Sequence, residues 1–383
     1  MIQKSIYLNH ISSFSALGSN PKQVWEALLS TKSYFSTRKF KSKSVKVSAL
    51  NPTQENELVV LKNDHKLYNH LDKTTLMAMA VGRELFKNIE QKNKKIGVNI
   101  GSSRGATSTF ESAHKDFILN QQIPFATSPI TTLGNIASNV AQDLGLQGPA
   151  ISHSITCSSA LHALLNGYAY LKSGMLDHFI IGGAEAPLTD FTIAQMKALK
   201  LYSKSLADFP CRSLDFDKTE NTLVLGEAAC LASLSITPEK NAVEVCGIGY
   251  ATEKLEHSVS LSADAKCLQK SMQMALKSAK LKQVDVVIMH APGTVKGDAS
   301  ELKAIKNTFK TLPALTTNKF MIGHTFGASG AISLEMAVMM LQQNYFIENP
   351  FYKNKGIPEN INTVMVNAVG FGGNAVSVIL KRV

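Results

Sequence analysis

The five cysteines of this 383-residue chain (Cys157, Cys211, Cys230, Cys246, Cys267) contain no CxxC pair and no metal-ligand spacing. A zinc site and a disulfide framework are therefore both unexpected, and no metal is expected. No apolar run reaches the ~18 residues needed to cross a bilayer, and no signal-peptide pattern opens the chain. These absences predict a reduced, cytoplasmic protein with no membrane association. Aromatics make up only 7% of the residues, with a single tryptophan, and they do not interleave with the basic segments. That argues against a nucleic-acid partner. Acidic residues are in deficit, 29 against 40 Lys and Arg, giving a net charge of +11.

What is present is ordinary for a large globular enzyme: 44% hydrophobic and 18% charged residues, enough for two domains or two fused halves. The basic excess lies early, in Lys32, Arg38, Lys39, Lys41, Lys43 and Lys46 and again between Lys87 and Lys95. A solvated basic surface or an acidic partner would explain it.

Apolar runs alternate with helix-patterned segments. Ile6–Leu8 opens as a strand, Asn20-Pro21 caps a helix through Leu29, and residues 31–65 read as a loop-rich excursion. Helices follow at Leu71–Phe86 and Pro129–Leu144, with a strand at 95–102 between them. Phe179–Glu185, Leu223–Leu234 and Asn241–Ala251 read as strands. Thr237–Asn241 is the best boundary, dividing the chain into 1–238 and 239–383. The second part repeats the order: helix Ala263–Lys280, strand Val284–Met289, helix Ser300–Phe309, helix Gly327–Leu341, then strands Thr363–Val366 and Ala375–Leu380. This pattern predicts a duplicated α/β unit with a mostly parallel sheet covered on both faces.

Four stretches stand out. Cys157, in Ser154–Leu165, precedes a helix-patterned run that stops at Lys172-Ser173-Gly174. At a helix N-terminus the free N–H groups and the dipole favour thiolate, although a free cysteine is most often a buried core residue. His290 follows a strand directly in His290-Ala291-Pro292-Gly293-Thr294, where Pro and Gly force a turn that exposes the imidazole. His324, in Gly323-His324-Thr325-Phe326-Gly327, feeds a helix whose N-terminus would keep it neutral. Lys319, five residues earlier, would act in the same sense. Gly370-Phe371-Gly372-Gly373 allows unusual backbone angles between the last two strands.

Taken together and in this order, the four stretches resemble those of the β-ketoacyl-acyl carrier protein synthases, decarboxylating condensing enzymes of the thiolase-fold superfamily. TCSSA at 156–160 resembles the nucleophile motif, and HAPGT at 290–294 the first histidine motif. KFMIGHTFGASGA at 319–331 resembles the lysine–histidine motif, and VGFGG at 369–373 the C-terminal glycine turn. Weaker echoes are SALG at 15–18, DFDKTENTLVLGEAA at 215–229 and GDASE at 297–301.

The resemblance implies a thiolase-like α/β fold of two duplicated halves, with mixed central sheets in an α-β-α-β-α layering. The first half would carry Cys157 and the second both histidines. Cys157 would hold the acyl chain, and His290 and His324 would promote decarboxylation of malonyl-carrier protein. The N–H groups of Cys157 and Phe371 would form the oxyanion hole, Phe371 serving also as a gate. Lys319 would join the catalytic set, with Glu301, Thr294 and Asp298 behind it. No cofactor is implied beyond the carrier's phosphopantetheine.

The resemblance also implies an acidic acyl carrier protein as partner, with Lys62, Lys66 and Lys73 as candidate docking residues, and a dimer with itself or with a related ketosynthase subunit. Asn69 and His70 stand where the family commonly carries docking arginines. Ala-Pro in the first histidine motif, GEAA in place of GEGA, and a glycine turn without threonine suggest a specialised, polyene-type pathway. The alternatives are a non-catalytic chain-length-factor-like subunit, a degradative thiolase, a priming synthase, and a nucleic-acid binder.

Overall fold

The computed structural model describes residues 4–40, 43–89, 95–254 and 261–383. Lys41, the segment 90–94 of the second basic stretch and His257 lie outside the described residues.

The first half opens with β1 (Tyr7–Ser15), followed by a small separate hairpin of β2 (Ser36–Phe40) and β3 (Lys43–Val47). It then supplies β4 (Gly97–Gly101), β5 (Ala150–His153), β6 (His178–Glu185) and β7 (Ala228–Ser235). The second half supplies β8 (Val243–Thr252), β9 (Val286–Ile288), β10 (Ala314–Thr316), β11 (Thr363–Gly370) and β12 (Asn374–Arg382). In space the halves run β1-β7-β6-β4-β5 and β8-β12-β11-β9-β10. Position by position this is one plan used twice. β4 pairs in parallel with β5 and β6, as β9 does with β10 and β11, and the remaining neighbours in each half are antiparallel. A short antiparallel contact, Tyr7 with Glu244 and Leu8 with Val243, joins the halves into a 10-stranded sheet. The boundary expected at 238/239 falls in the turn between β7 and β8.

The helices of the first half are α1 (Pro21–Ser30), α2 (Pro52–Asn63), α3 (Lys73–Asn88), α4 (Thr107–Asn120), α5 (Thr127–Thr131), α6 (Asn135–Asp143), α7 (Ser159–Ser173) and α8 (Asp190–Ala198). Those of the second are α9 (Lys266–Ala279), α10 (Val295–Thr308), α11 (Lys319–Ile322) and α12 (Ser329–Gln343). Leu161 and Leu164 of α7 and Met336 and Met340 of α12 share one core with Ile181, Leu234, Val366 and Val378 from the two half-sheets. Met77 of α3 and Val140 of α6 cover the outer face of the first half-sheet, against Val98 and Ile180. Met272 of α9 and Ile305 of α10 cover the second, against Val287 and Ile379. The result is the five-layer α-β-α-β-α stack.

Sequence explains much of this directly. Every residue of α12 from Ser329 to Leu341 is buried, as an all-round apolar helix must be. The Asn20 side chain caps α1 by accepting from Gln23 N–H at 3.0 Å, with Pro21 at the first helical position, where its missing donor costs nothing. Gly174 stops α7 in the left-handed conformation, φ 76°.

Some expectations are corrected. Residues 31–65 are not loop-rich: they hold the β2–β3 hairpin and α2. The expected strand at Leu223 begins only at Ala228, and the helix expected over Pro129–Leu144 is broken into α5 and α6. Helices α4 and α8 were not anticipated. Both place apolar side chains at the surface, Phe110 and Ile118 on α4 and Phe191 on α8, which blurs the periodicity that marks a helix.

Candidate active site

The parallel strands β4, β5, β6, β9, β10 and β11 end on the same side, and every special turn of the sequence lies at one of those ends. After β5 the chain makes a tight turn through Thr156, φ 48°. Cys157 follows, 6% exposed, two residues before α7 begins. The glycine turn after β11 is pressed onto it. A Cβ at Gly370 would overlap Thr156 Oγ1 and come within 3.1 Å of the Cys157 nitrogen, so only glycine fits there. Thr156 Oγ1 donates to the Phe371 carbonyl at 3.2 Å. Gly372 and Gly373 complete the turn at φ 94° and 70°. Phe371 and Cys157, 214 residues apart in sequence, are thereby brought together.

The two histidine turns face each other: the rings of His290 and His324 lie 5.1 Å apart at 79°. His290 is buried rather than exposed, at 5%, and its Nδ1 has no partner among the described residues. Its turn is held from below by two carboxylates on successive turns of α10. Glu301 accepts the His290 and Ala291 N–H groups at 2.9 and 2.8 Å. Asp298 accepts those of Gly293 and Thr294 at 3.0 and 3.1 Å, and pairs with the buried Lys218 at 2.8 Å. Thr294 caps α10, its side chain accepting from Gly297 N–H at 3.2 Å.

His324 follows Gly323, φ 66°, and its Nδ1 accepts from Phe326 N–H at 3.1 Å. The ring proton is therefore on Nε2, which is buried without a partner among the described residues. A short 3₁₀ turn at Phe326–Ala328 separates His324 from α12, so the helix N-terminus lies too far along to hold it neutral. Burial does so instead, pushing both imidazoles well below their usual range, with Lys319 pushing the same way.

Lys319, 1% exposed, is lowered to about 8 by burial against the opposing pull of Glu301. Glu301 is raised to about 7, again by burial. The thiolate expectation for Cys157 is also corrected. Burial pushes the thiol up to about 12, Glu185 adds to this, and Lys319 and Arg104 oppose it.

Glu185 and Asn367 are residues that sequence reasoning missed. Fully buried at the end of β6, Glu185 gathers N–H groups from Ser103 at 2.6 Å, Arg104 at 3.1 Å and Gly327 at 2.9 Å. It thus ties the turn after β4 to the His324 turn. Asn367 donates to Glu301 at 3.2 Å. The only available signal was polarity inside otherwise apolar strands.

Of the candidate docking lysines, Lys62 is half-buried and Lys66 is exposed. Lys73 is committed to ion pairs with Glu55 at 2.6 Å and the buried Glu227 at 2.8 Å. Among the described residues no group of three or more His, Cys, Asp or Glu could hold a metal ion, and no helix is long and apolar enough to cross a membrane.

A buried cysteine at a tight turn, two buried imidazoles packed edge to face and one five-stranded plan used twice define the class: the thiolase-like superfamily. Solved structures carry the same fold. A chain of the Xenorhabdus doucetiae complex of the ketosynthase ApeO with its chain length factor ApeC superposes with a TM-score of 0.83 at 21% identity, covering 99% of this chain and 98% of that one. A β-ketoacyl synthase from Burkholderia phymatum gives 0.86 at 21% identity, covering 99% and 100%. In sequence, 3-oxoacyl-[acyl-carrier-protein] synthase 2 of Staphylococcus aureus is 28% identical over 83% of this chain and 84% of its own. The Vibrio cholerae protein of the same name is 26% identical over the full length of both.

The models of the β-ketoacyl synthase N-terminal and C-terminal domains match residues 10–235 and 243–352. The chain belongs to the β-ketoacyl synthase family, a class of acyl-transferring condensing enzymes.

Proposed function

We propose that this chain is the catalytic β-ketoacyl-acyl carrier protein synthase of a specialised, polyene-type branch of fatty-acid or polyketide-like synthesis. In this reading it acts in the cytoplasm with no cofactor beyond the carrier's phosphopantetheine. The observation that carries the reading is that Cys157, His290 and His324 are all present and all buried, with the two imidazole rings 5.1 Å apart. A chain-length-factor-like subunit has no use for that set.

The thiol of Cys157 attacks the acyl thioester. The Cys157 S–acyl bond forms, the carrier S–acyl bond breaks, and the proton leaves on the carrier thiol. Malonyl-carrier protein then places its thioester carbonyl against the imidazoles, and the Nε2–H of His324 donates to it. The malonyl C–carboxylate bond breaks, CO2 departs, and the electron pair remains as an enolate held by neutral donors. The enolate carbon forms the new C–C bond at the acyl carbonyl, with its oxygen held by the N–H groups of Cys157 and Phe371. Collapse breaks the Cys157 S–acyl bond, and the thiolate regains a proton from solvent.

Two neutral imidazoles suit this better than charged ones. A donor that does not itself ionise stabilises the developing charge without competing for the malonyl carboxylate. Electrostatic steering of an acidic carrier fits the exposed lysines of the β2–β3 hairpin, because Val45 and Val47 on its inner side pack with Cys157. The exposed Lys66 is a further docking candidate. The partner in a dimer is either a second copy or a related ketosynthase subunit.

Intact-mass spectrometry with acyl-carrier proteins tests the reading. The protein gains the acyl mass, Cys157→Ala does not, and adding malonyl-carrier protein releases an extended product. A wild-type protein that takes no acyl group from any carrier, alone or with a partner subunit, sinks it.

A further inference from the structure

Beside the nucleophile lies a guanidinium with which, among the described residues, no carboxylate side chain pairs. Arg104 follows the end of β4, its backbone N–H fixed by Glu185. Its side chain lies across Phe326, with Cζ 5.3 Å from the ring centroid, and Nη1 donates to Gln195 Oε1 at 2.6 Å. Among the described residues no acidic side chain pairs with it. Phe326, which the guanidinium covers, packs with Ile193 and Met196 in the same cluster as Cys157. Gln195 is the immediate neighbour of Met196 on α8.

The acyl group on Cys157 must extend along this wall, because the cluster is what surrounds the sulfur. A plain hydrocarbon chain would match Ile193, Met196 and Phe326. It would also strip water from a fixed guanidinium and return nothing to its remaining N–H donors. An oxygen on the chain would return a charge-assisted hydrogen bond. Phe326 and Gln195 hold the fork in place before the chain arrives, so little ordering is left to complete.

Building on the condensing-enzyme reading, we propose that Arg104 is a specificity-determining residue that selects acyl groups bearing a hydrogen-bond-accepting oxygen over hydrocarbon chains of equal length. It contacts the acyl chain and not the reacting carbons, and so discriminates among starters at the acylation step.

The test measures initial rates of Cys157 acylation by intact mass, from a bacterial acyl carrier protein loaded with octanoyl, 8-hydroxyoctanoyl or 7-carboxyheptanoyl groups. The wild type is expected to take an oxygen-bearing chain about tenfold or more faster than octanoyl, as a lost hydrogen bond to a charged group implies. Arg104→Met is expected to abolish or invert that ratio, and Arg104→Lys, which keeps the charge and loses the fork, to retain part of it. A gain confined to the carboxylate assigns charge pairing. A gain shared by the hydroxyl assigns hydrogen bonding. Equal rates for the three chains in the wild type, or a preference that survives in Arg104→Met, overturn the proposal while leaving the condensing-enzyme reading intact. No acylation from any of the three, where another acyl carrier does load Cys157, overturns this proposal alone; no acylation from any carrier, alone or with a partner subunit, overturns that reading and this proposal with it.

Discussion

Asp298 and Glu301 show how single side chains on one helix shape the His290 turn from outside it. Between them they satisfy four consecutive-region N–H groups around His290, which would otherwise be buried donors without acceptors. Replacing Glu301 by glutamine leaves one oxygen to accept and turns an amide toward the second donor. One N–H then goes unpaired, at a cost of about 1–3 kcal/mol in turn geometry, or roughly 10- to 100-fold in rate if it falls on the step that His290 serves. Glu301→Gln is therefore expected to acylate Cys157 at the wild-type rate while releasing CO2 from malonyl-carrier protein 10- to 100-fold more slowly. Equal losses in both steps would assign Glu301 to the architecture of the whole site rather than to the His290 turn.

At the scale of elements, Lys66, which opens a 3₁₀ turn over Lys66–His70, and Lys73, which opens α3 just after it, separate structure from proposed docking. Lys73 opens α3 and bridges Glu55 of α2 to Glu227, the latter 2% exposed. Removing it strands a buried carboxylate. Lys73→Ala is expected to lower the melting temperature by several degrees, whereas Lys66→Ala leaves it unchanged and instead weakens the salt-dependent binding of carrier protein. Calorimetry and a titration against ionic strength read the two effects separately.

The same region shows where sequence reading stops. The two central helices, all four chemical turns and every strand of the large sheet except the short β5 and β10 were legible, because glycine, proline and continuous apolar runs mark them locally. The β2–β3 hairpin was not. Its charged outer face and two inward valines, Val45 and Val47, carry too few apolar positions to show a period of two against a basic background. Nor could local reasoning rank burial against a helix dipole for Cys157. That outcome depends on Glu185, Lys319 and Arg104, which arrive from three distant strand ends.

For the whole molecule, the middle layer carries an unusual burden. Glu335 of α12 is 1% exposed and neither of its oxygens has a well-aligned hydrogen bond among the described residues. Ser13 of β1 lies beside it, and burial raises its carboxyl from 4.5 to about 7. In the folded protein the group holds its proton where the unfolded chain has lost it. Folding is therefore unpenalised below about pH 4.5 and loses stability as pH rises toward about 7, levelling off above that. The loss is on the order of 3 kcal/mol. Glu185 and Glu301 slope in the same direction. The buried neutral His290 and His324 slope the other way, favouring pH 8, so the Glu335 contribution is read by difference: in urea unfolding Glu335→Gln is expected to gain stability over the wild type at pH 8 and much less at pH 5. The same gain at both would mean that Glu335 ionises freely inside the fold.

The repeated strand plan has one more consequence. β5 leads through Cys157 into α7, and β10 leads through His324 into α12, so the two residues occupy the same station in two copies of a single unit. The turn after β4 that carries Arg104 likewise matches the turn after β9 that carries His290. On the reading proposed above, the twin positions hold attacker and hydrogen-bond donor in one case, and substrate selector and second imidazole in the other. On that reading the duplication divides labour between two copies of one topology, and neither copy holds the full set of tools.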